Sequence, residues 1–344
     1  MTDIKSMTLE ELTAFVKSIG QPAFRAKQIY QWMHVKLADS FDEMTNLSKD
    51  LREQLSHEAS LQSMKIAEVQ TSKEDGTQKF LFETEDGEYV ESVKMVYKHG
   101  ISVCISSQIG CKMGCTFCAS TVGGVIRSLS AGEMLEQIYR IQRYVGERIS
   151  NIVVMGMGEP FDNYDALIRF LHMISDKDGL NISGRNITVS TCGLADKIRQ
   201  FADEGLQTTL ALSLHASNQQ TREQLMPVAK AYSIDEVLSA CEYFFKKTGR
   251  RVTFEYSMVS GVNDSEENAK ELSDLIGHMN CHLNLIPINP VRENGYVQST
   301  HEAVLRFKNK LEKYGINVTI RREMGRDIDG ACGQLRKRRR DNNI

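Results

Sequence analysis

The apolar positions of the chain fall into three regimes. Over residues 1–75 they recur at helical spacing: Leu12, Phe15, Val16 and Ile19 follow the capping box Thr8-Leu9-Glu10-Glu11, and Gly20 stops the run. Pro22 opens a second helix carrying Phe24, Ala26, Ile29, Tyr30 and Met33, and a third follows Ser48 through Leu51 and Leu55. From 77 to 97 the period shortens to two, which predicts strands over 79–83 and 88–97 about Asp86-Gly87, a pair that favours a tight hairpin turn. Beyond 100, strand and helix alternate. Strands are expected at 101–106, 151–155, 186–190, 208–214, 252–259 and 282–287. Helices are expected near 130–145, 163–175, 194–204, 233–247, 264–278 and 300–314, and 316–320 offers a last strand.

Six consecutive β-α units argue for an α/β fold, a parallel sheet curled into a partial (β/α)6 barrel of the TIM type. The alternative is an open doubly wound sheet, which loses its usual support because no G-x-G-x-x-G opens a helix after the first strand. The expected organisation is a helical accessory domain at 1–75, a β-hairpin linker at 76–98 and a barrel at 99–344.

Composition adds bounds to this picture. A chain of 344 residues, 41% hydrophobic, can bury one large core and still carry an appendage. A formal charge of −3 and a pI near 6.3 do not mark a nucleic-acid binder as a whole, so any RNA contact must rest on local patches. Residues 1–75 themselves hold nine Lys or Arg against twelve Asp or Glu. No basic-then-apolar leader pattern and no apolar run of 18 residues is found, so a cytoplasmic protein with no membrane contact is expected. Eight cysteines then point to metal or redox chemistry instead of a secreted disulfide framework. The single tryptophan, Trp32, lies at helical spacing in the first region and reads as core before it reads as a base-stacking platform.

The chemistry concentrates after the first barrel strand, in Cys111-Lys112-Met113-Gly114-Cys115-Thr116-Phe117-Cys118. Three thiols at C-x3-C-x2-C can bind three corners of a [4Fe-4S] cluster and leave the fourth iron open for an exchangeable guest, for which S-adenosylmethionine is expected. Zinc is the alternative; it prefers four ligands from paired C-x2-C or C-x2-C…H-x3-H elements, and neither pairing occurs. In parallel barrels the reactive site lies at the C-terminal ends of the strands. Gly156-Met157-Gly158-Glu159-Pro160 follows the second strand, where glycines let the backbone approach a ligand and a carboxylate can meet an ammonium group. Ser190 ends the third strand, Ser213-Leu214-His215 the fourth, and Asn289 follows the sixth. Singly, each has a dull reading as turn chemistry or a satisfied histidine; together they favour a cofactor pocket.

The cysteine loop, with an aromatic before its last cysteine, resembles the radical S-adenosylmethionine superfamily. The resemblance sharpens over Val103-Cys104-Ile105-Ser106-Ser107-Gln108-Ile109-Gly110-Cys111, Met155-Gly156-Met157-Gly158-Glu159-Pro160, Thr188-Val189-Ser190-Thr191-Cys192-Gly193, Leu212-Ser213-Leu214-His215 and Cys332-Gly333-Gln334-Leu335, which look like the RlmN/Cfr family of RNA-methylating enzymes. The match covers essentially the whole chain. It implies that Cys111, Cys115 and Cys118 hold the cluster, and that Gly158, Glu159, Ser190, Ser213, Leu214, His215 and Asn289 bind S-adenosylmethionine. It implies methylation of C2 of adenine 2503 in 23S ribosomal RNA, with adenine 37 of transfer RNA as a second target; C8 methylation of the same ribosomal adenosine, as in Cfr, is the alternative.

In this family a cysteine matching Cys332 carries the methyl group, one matching Cys104 resolves the protein–RNA bond and leaves a disulfide, and a glutamate matching Glu91 takes the ring proton. Cys332 lies in a Gly-rich segment before the basic run Arg336-Lys337-Arg338-Arg339-Arg340, surroundings that suit a reactive thiol and RNA phosphates. Without the resemblance, Cys104 would read equally as a buried structural cysteine and Glu91 as a solvated strand carboxylate. Cys192, Cys241 and Cys281 read as core or incidental. A redox partner such as flavodoxin or ferredoxin and a monomeric state complete the expectation. A rival of another class is a cluster-dependent activase with no RNA substrate; it would lack the Cys104 and Cys332 pair, and both are present.

Overall fold

The computed structural model describes residues 1–288 and 295–328. Two short parallel strands, β1 (Thr2–Asp3) and β2 (Ala59–Ser60), clip together a unit of three helices, α1 (Leu9–Ser18), α2 (Phe24–His34) and α3 (Lys49–Glu58). Thr8 accepts from the Glu11 backbone N–H while the Glu11 carboxylate accepts from Thr8 N–H, so the capping box forms as expected. Leu12, Val16, Ile29, Met33, Leu51 and Leu55 are buried between the helices.

The expectation of helix up to residue 75 fails at β3 (Lys65–Thr71). This strand pairs antiparallel with β4 (Gln78–Glu83), which pairs with β5 (Tyr89–Tyr97). β3 is an edge strand with no fully buried residue, so its own apolar signal is weak and its partner decides its conformation. The β4–β5 turn centres on Asp86-Gly87, with Gly87 at φ +83° and its N–H on the Thr84 carbonyl at 3.0 Å.

β5 then pairs antiparallel with β6 (Gly100–Ile105), the first strand of the parallel array. A small antiparallel pair follows, β7 (Gln108–Gly110) with β8 (Val125–Ser128), that the periodicity does not announce. The chain continues through α4 (Ala131–Val145), β9 (Ile149–Val154), α5 (Tyr164–Ile174), β10 (Ile187–Thr191), α6 (Ala195–Asp203), β11 (Thr209–Ser213), the unexpected short α7 (Gln219–Leu225), α8 (Ile234–Thr248), β12 (Val252–Met258), α9 (Glu266–Ile276), β13 (Cys281–Pro287), α10 (His301–Lys313) and β14 (Val318–Ile320).

The sheet order is β14-β13-β12-β11-β10-β9-β6-β5-β4-β3. From β6 to β14 every neighbouring pair is parallel and the order is sequential. A doubly wound sheet needs a reversal of strand order, so that alternative is excluded; β14 does not pair with β3, and the barrel stays open.

Alternation along the strands sorts their side chains. Val103, Ile105, Ile152, Val154, Val189, Leu212, Phe254 and Leu283 pack under the helices, in a core that runs on without a break to Leu12 and Leu55 of the N-terminal unit. Ser102, Cys104, Ser106, Ser190, Ser213, Glu255 and Asn284 take the opposite, concave face. The helical unit is further fastened to the barrel by polar groups. A buried Lys5–Glu136 ion pair reaches α4, Tyr139 hydroxyl meets His34 Nδ1 at 2.8 Å, and Tyr30 donates to Asp176 at 2.9 Å. Trp32 sits at the edge of the core, its Nε1 donating to Asn46 at 2.5 Å and Lys36 Nζ lying 3.7 Å from its ring centre. Among the described residues, no helix is long and apolar enough to cross a membrane.

Candidate active site

The cysteine loop is gripped at both ends. At its base Cys111 N–H donates to the Gly124 carbonyl at 3.1 Å, extending the β7–β8 pair. Gly110, at φ +82°, admits no side chain there, because a Cβ would fall 2.0 Å from the same carbonyl. Further along, Thr116 donates to the Leu225 carbonyl at the end of α7 through its N–H at 2.9 Å and its hydroxyl at 3.2 Å. Lys112 pairs with Asp162 at 2.6 Å, and the Phe117 ring stands edge-on to His215 with centroids 4.9 Å apart.

Burial pushes the Cys111 thiol up to about 12 and Cys115 higher still; Cys118 raises both further, as mutual repulsion among clustered thiolates would. A cation held between the sulfurs reverses that logic, so this donor set fits a cationic iron–sulfur core. Among the described residues no three His, Cys, Asp or Glu side chains gather as around one metal ion. A cubic cluster needs no such convergence, since each thiolate takes a different iron.

Beside the loop lies the β9 turn. Gly158 has φ +98°, and a Cβ there would sit 2.5 Å from Gln108 Cβ. Glu159 is 3% exposed. Its carboxylate accepts from Phe161 N–H at 3.0 Å and Cys192 N–H at 2.7 Å. Burial raises its pKa, and those donors oppose the rise. The Thr191 and Cys192 side chains add to these donors, so a ligand ammonium group would share an already hydrogen-bonded carboxylate.

Ser190 and Ser213 hydroxyls face each other at 3.5 Å across β10 and β11. Leu214 is fully buried with the helices, so only its backbone faces the strand ends. His215 adopts φ +55° and accepts from Ser257 N–H through Nδ1 at 2.9 Å. Burial, then the charge of Arg222, lower its pKa to about 3. The ring is therefore neutral with its proton on Nε2. Asn289 and Cys332 lie outside the described residues, as does the basic run from Arg336 to Arg340.

Glu91 and Cys104 share the concave face of adjacent strands. The register pairs Val93 with Cys104, and Ser106 Oγ donates to the Glu91 carbonyl at 2.7 Å. Glu91 is not the solvated carboxylate a strand position suggests: it is 3% exposed and pairs with fully buried Lys79 at 2.8 Å. Glu91, Val93, Cys104, Ser106, Gly156 and Met157 line one small void too tight to hold a water molecule.

Family comparison agrees with this geometry. Residues 2–61 match the ribosomal RNA large subunit methyltransferase N-terminal domain, and 105–273 match the radical SAM superfamily. The probable dual-specificity RNA methyltransferase RlmN of Lachnospira eligens is 60% identical over 98% of this chain and 97% of its own length. That of Geobacillus thermodenitrificans is 52% identical over 99% and 94%. The chain belongs to the RlmN family of radical S-adenosylmethionine RNA methyltransferases. A solved radical SAM methyltransferase from Sphaerobacter thermophilus superposes with a TM-score of 0.93 at 42% identity, covering 97% of this chain and 99% of that one.

In this RlmN-family chain several residues of the site escaped sequence reasoning. Gln108 bridges the cysteine strand to the β9 turn, accepting from Glu159 N–H and donating to Asp162, both at 2.9 Å. Glu255 stands opposite Ser213 in the register, its carboxylate accepting from Asn284 at 2.8 Å. Cys192, expected as core or incidental, is buried as a core residue and also lends its backbone to Glu159. None carries a local motif of its own, although Gln108 and Cys192 fall inside the matched Val103–Cys111 and Thr188–Gly193 segments. No disulfide joins two of the seven described cysteines. The disulfide implied for Cys104 would involve Cys332, outside the described residues.

Proposed function

We propose that this chain methylates C2 of adenine 2503 in 23S ribosomal RNA and of adenine 37 in transfer RNA, through a methyl group carried on Cys332. The observation that carries the reading is that buried Glu91 and Cys104 share the concave face of neighbouring strands β5 and β6, in a chain of the RlmN family whose thiol loop follows β6 by way of β7. A [4Fe-4S] cluster on Cys111, Cys115 and Cys118 with bound S-adenosylmethionine supplies the methyl group and the radical chemistry that an unreactive ring carbon requires.

The protein's own groups do the rest. Glu159, the Gly158 backbone, Ser190, Ser213, the Leu214 backbone, neutral His215 and Asn289 bind and orient S-adenosylmethionine. The carbon on Cys332 bonds to adenine, and Glu91, steadied by Lys79, takes the ring proton. The Cys104 thiolate attacks the Cys332 sulfur and displaces the RNA carbon with its bonding pair; that carbon takes the proton held by Glu91 to become the methyl group, and a disulfide is left. The target base must be unstacked to reach Glu91 and Cys104. An RNA substrate supports a cytoplasmic site of action, with flavodoxin or ferredoxin as electron donor.

The test separates the two thiols. Cys332→Ala protein expressed in cells should carry no RNA, whereas Cys104→Ala should accumulate RNA bound covalently through Cys332, read on denaturing gels with and without nuclease. RNA on the first variant, or none on a cluster-loaded second, would refute the roles. Mass spectrometry of ribosomal RNA from cells with and without the gene locates the methyl at C2 or C8.

A further inference from the structure

Arg222 is a full positive charge with no exposed surface. It lies on α7, where Nη2 donates to the Cys192 carbonyl at 2.7 Å and Nη1 to the Tyr232 carbonyl at 3.4 Å, while buried Nε has no acceptor. Among the described residues no Asp or Glu forms an ion pair with it, although every other buried Lys or Arg has one. A guanidinium does not shed its proton, so the charge must be met by something.

Beyond those two carbonyls its charge is felt by thiols and by His215. Arg222 lies within electrostatic reach of Cys192, Cys115 and Cys241. One turn further along α7, the Leu225 carbonyl takes both donors of Thr116, inside the cysteine loop. Gly193 leaves the guanidinium room: a Cβ there would fall 2.8 Å from Nη2. The other cation at the loop, Lys112, is more than half exposed and already paired with Asp162, and His215 is neutral.

Resting on the reading that Cys111, Cys115 and Cys118 hold a four-iron cluster, we infer that Arg222 is the buried counter-charge of that cluster and raises its reduction potential. Three thiolates leave the oxidised cluster with one net negative charge, which reduction by one electron doubles. A fixed cation in a low-dielectric setting therefore favours the reduced state. The same role explains a buried cation with no ion-pair partner among the described residues.

The experiment uses full-length protein reconstituted with iron and sulfide under anaerobic conditions, comparing wild type, Arg222→Met and Arg222→Lys by iron content and potentiometric titration of the reduced cluster's electron paramagnetic resonance signal. The expected result is a midpoint in Arg222→Met more negative by at least a tenfold loss in the reduction equilibrium, about 59 mV for one electron. Arg222→Lys should recover most of it. An unchanged midpoint in cluster-loaded Arg222→Met would overturn the inference. Thermal melts of the apoproteins give a second measurement: without the cluster, Arg222→Met should be as stable as wild type or more so, because an uncompensated charge has gone. An apo Arg222→Met that unfolds would also overturn it, by showing that the protein itself already compensates the charge. Wild type that takes up no cluster would instead remove the cluster reading, and this inference with it.

Discussion

Glu136→Gln is expected to loosen the N-terminal unit from the barrel. Lys5 and Glu136 are each 1% exposed at the side chain and lie 131 residues apart. The two ends of the pair are not equivalent. Glu136 also accepts from Arg140 Nε at 2.7 Å and Met64 N–H at 3.4 Å. Among the described residues Lys5 has only Glu136 as an ion-pair partner, with the Tyr139 ring centre 6.0 Å away. Removing the carboxylate charge strands the ammonium, a loss of about 3–5 kcal/mol, which is a large part of a domain's ~5–15 kcal/mol. Lys5→Met leaves Glu136 with Arg140 and should lose less, about 1–3 kcal/mol. Because Trp32 is the sole tryptophan and sits on α2, its fluorescence reports on the helical unit while far-ultraviolet ellipticity follows the whole chain. In urea titrations of reduced apoprotein, Glu136→Gln should move the Trp32 transition ahead of the ellipticity transition. Adding Lys5→Met to Glu136→Gln should recover stability, since no charge is then left stranded. A Glu136→Gln protein within about 1 kcal/mol of wild type, or a costlier Lys5→Met, would refute the argument.

Replacing Cys111, Cys115 or Cys118 by Ser should abolish iron and sulfide retention with little change in apoprotein melting; a variant that keeps a full cluster would remove that residue from the ligand set. Gly158→Ala combines a φ of +98° with a contact 2.5 Å from Gln108 Cβ, and should lower stability by about 1–3 kcal/mol and weaken S-adenosylmethionine binding in calorimetry. Unchanged affinity would show that the turn does not shape the pocket. Burial lowers both His34 and His215 to about 3, so between 6.5 and 3 the unfolded chain takes up protons that the folded chain refuses. Stability should fall with acid by up to roughly 1.4 kcal/mol per pH unit for each ring. His34→Gln should show a shallower loss between pH 7.5 and 5 in urea midpoints, and an equal slope would contradict it.

Much of the fold was legible because its signals are local. The Thr8 capping box, the Asp86-Gly87 turn and the alternating β-α units are each written within a few neighbouring residues, and they formed at the expected places. β3, β7, β8 and α7 were not legible. Each is short or polar, as Gln219-Gln220-Thr221-Arg222-Glu223-Gln224-Leu225 shows; β3 pairs with the next strand, β4, and β7 with β8 across the cysteine loop, and their apolar pattern is too brief to announce them. The thiol spacing likewise pointed to the radical SAM superfamily, whose model matches residues 105–273.

The sequence by itself therefore determined the order and type of most elements, the clustering of Cys111, Cys115 and Cys118, and the membership of Ser190, Ser213 and His215 among strand-end residues. Tertiary structure alone decided which face each strand residue takes and what meets it there. Glu91 became a buried ion-paired carboxylate only because β4 brings Lys79 to it, and Lys5 found Glu136 only once α4 was in place. Arg222 was left with carbonyls and thiols instead of a carboxylate. The physical reason is one of range. Periodicity, caps and turns are satisfied by neighbours along the chain, whereas desolvation and charge pairing depend on strand register and closure, which no short window of sequence contains.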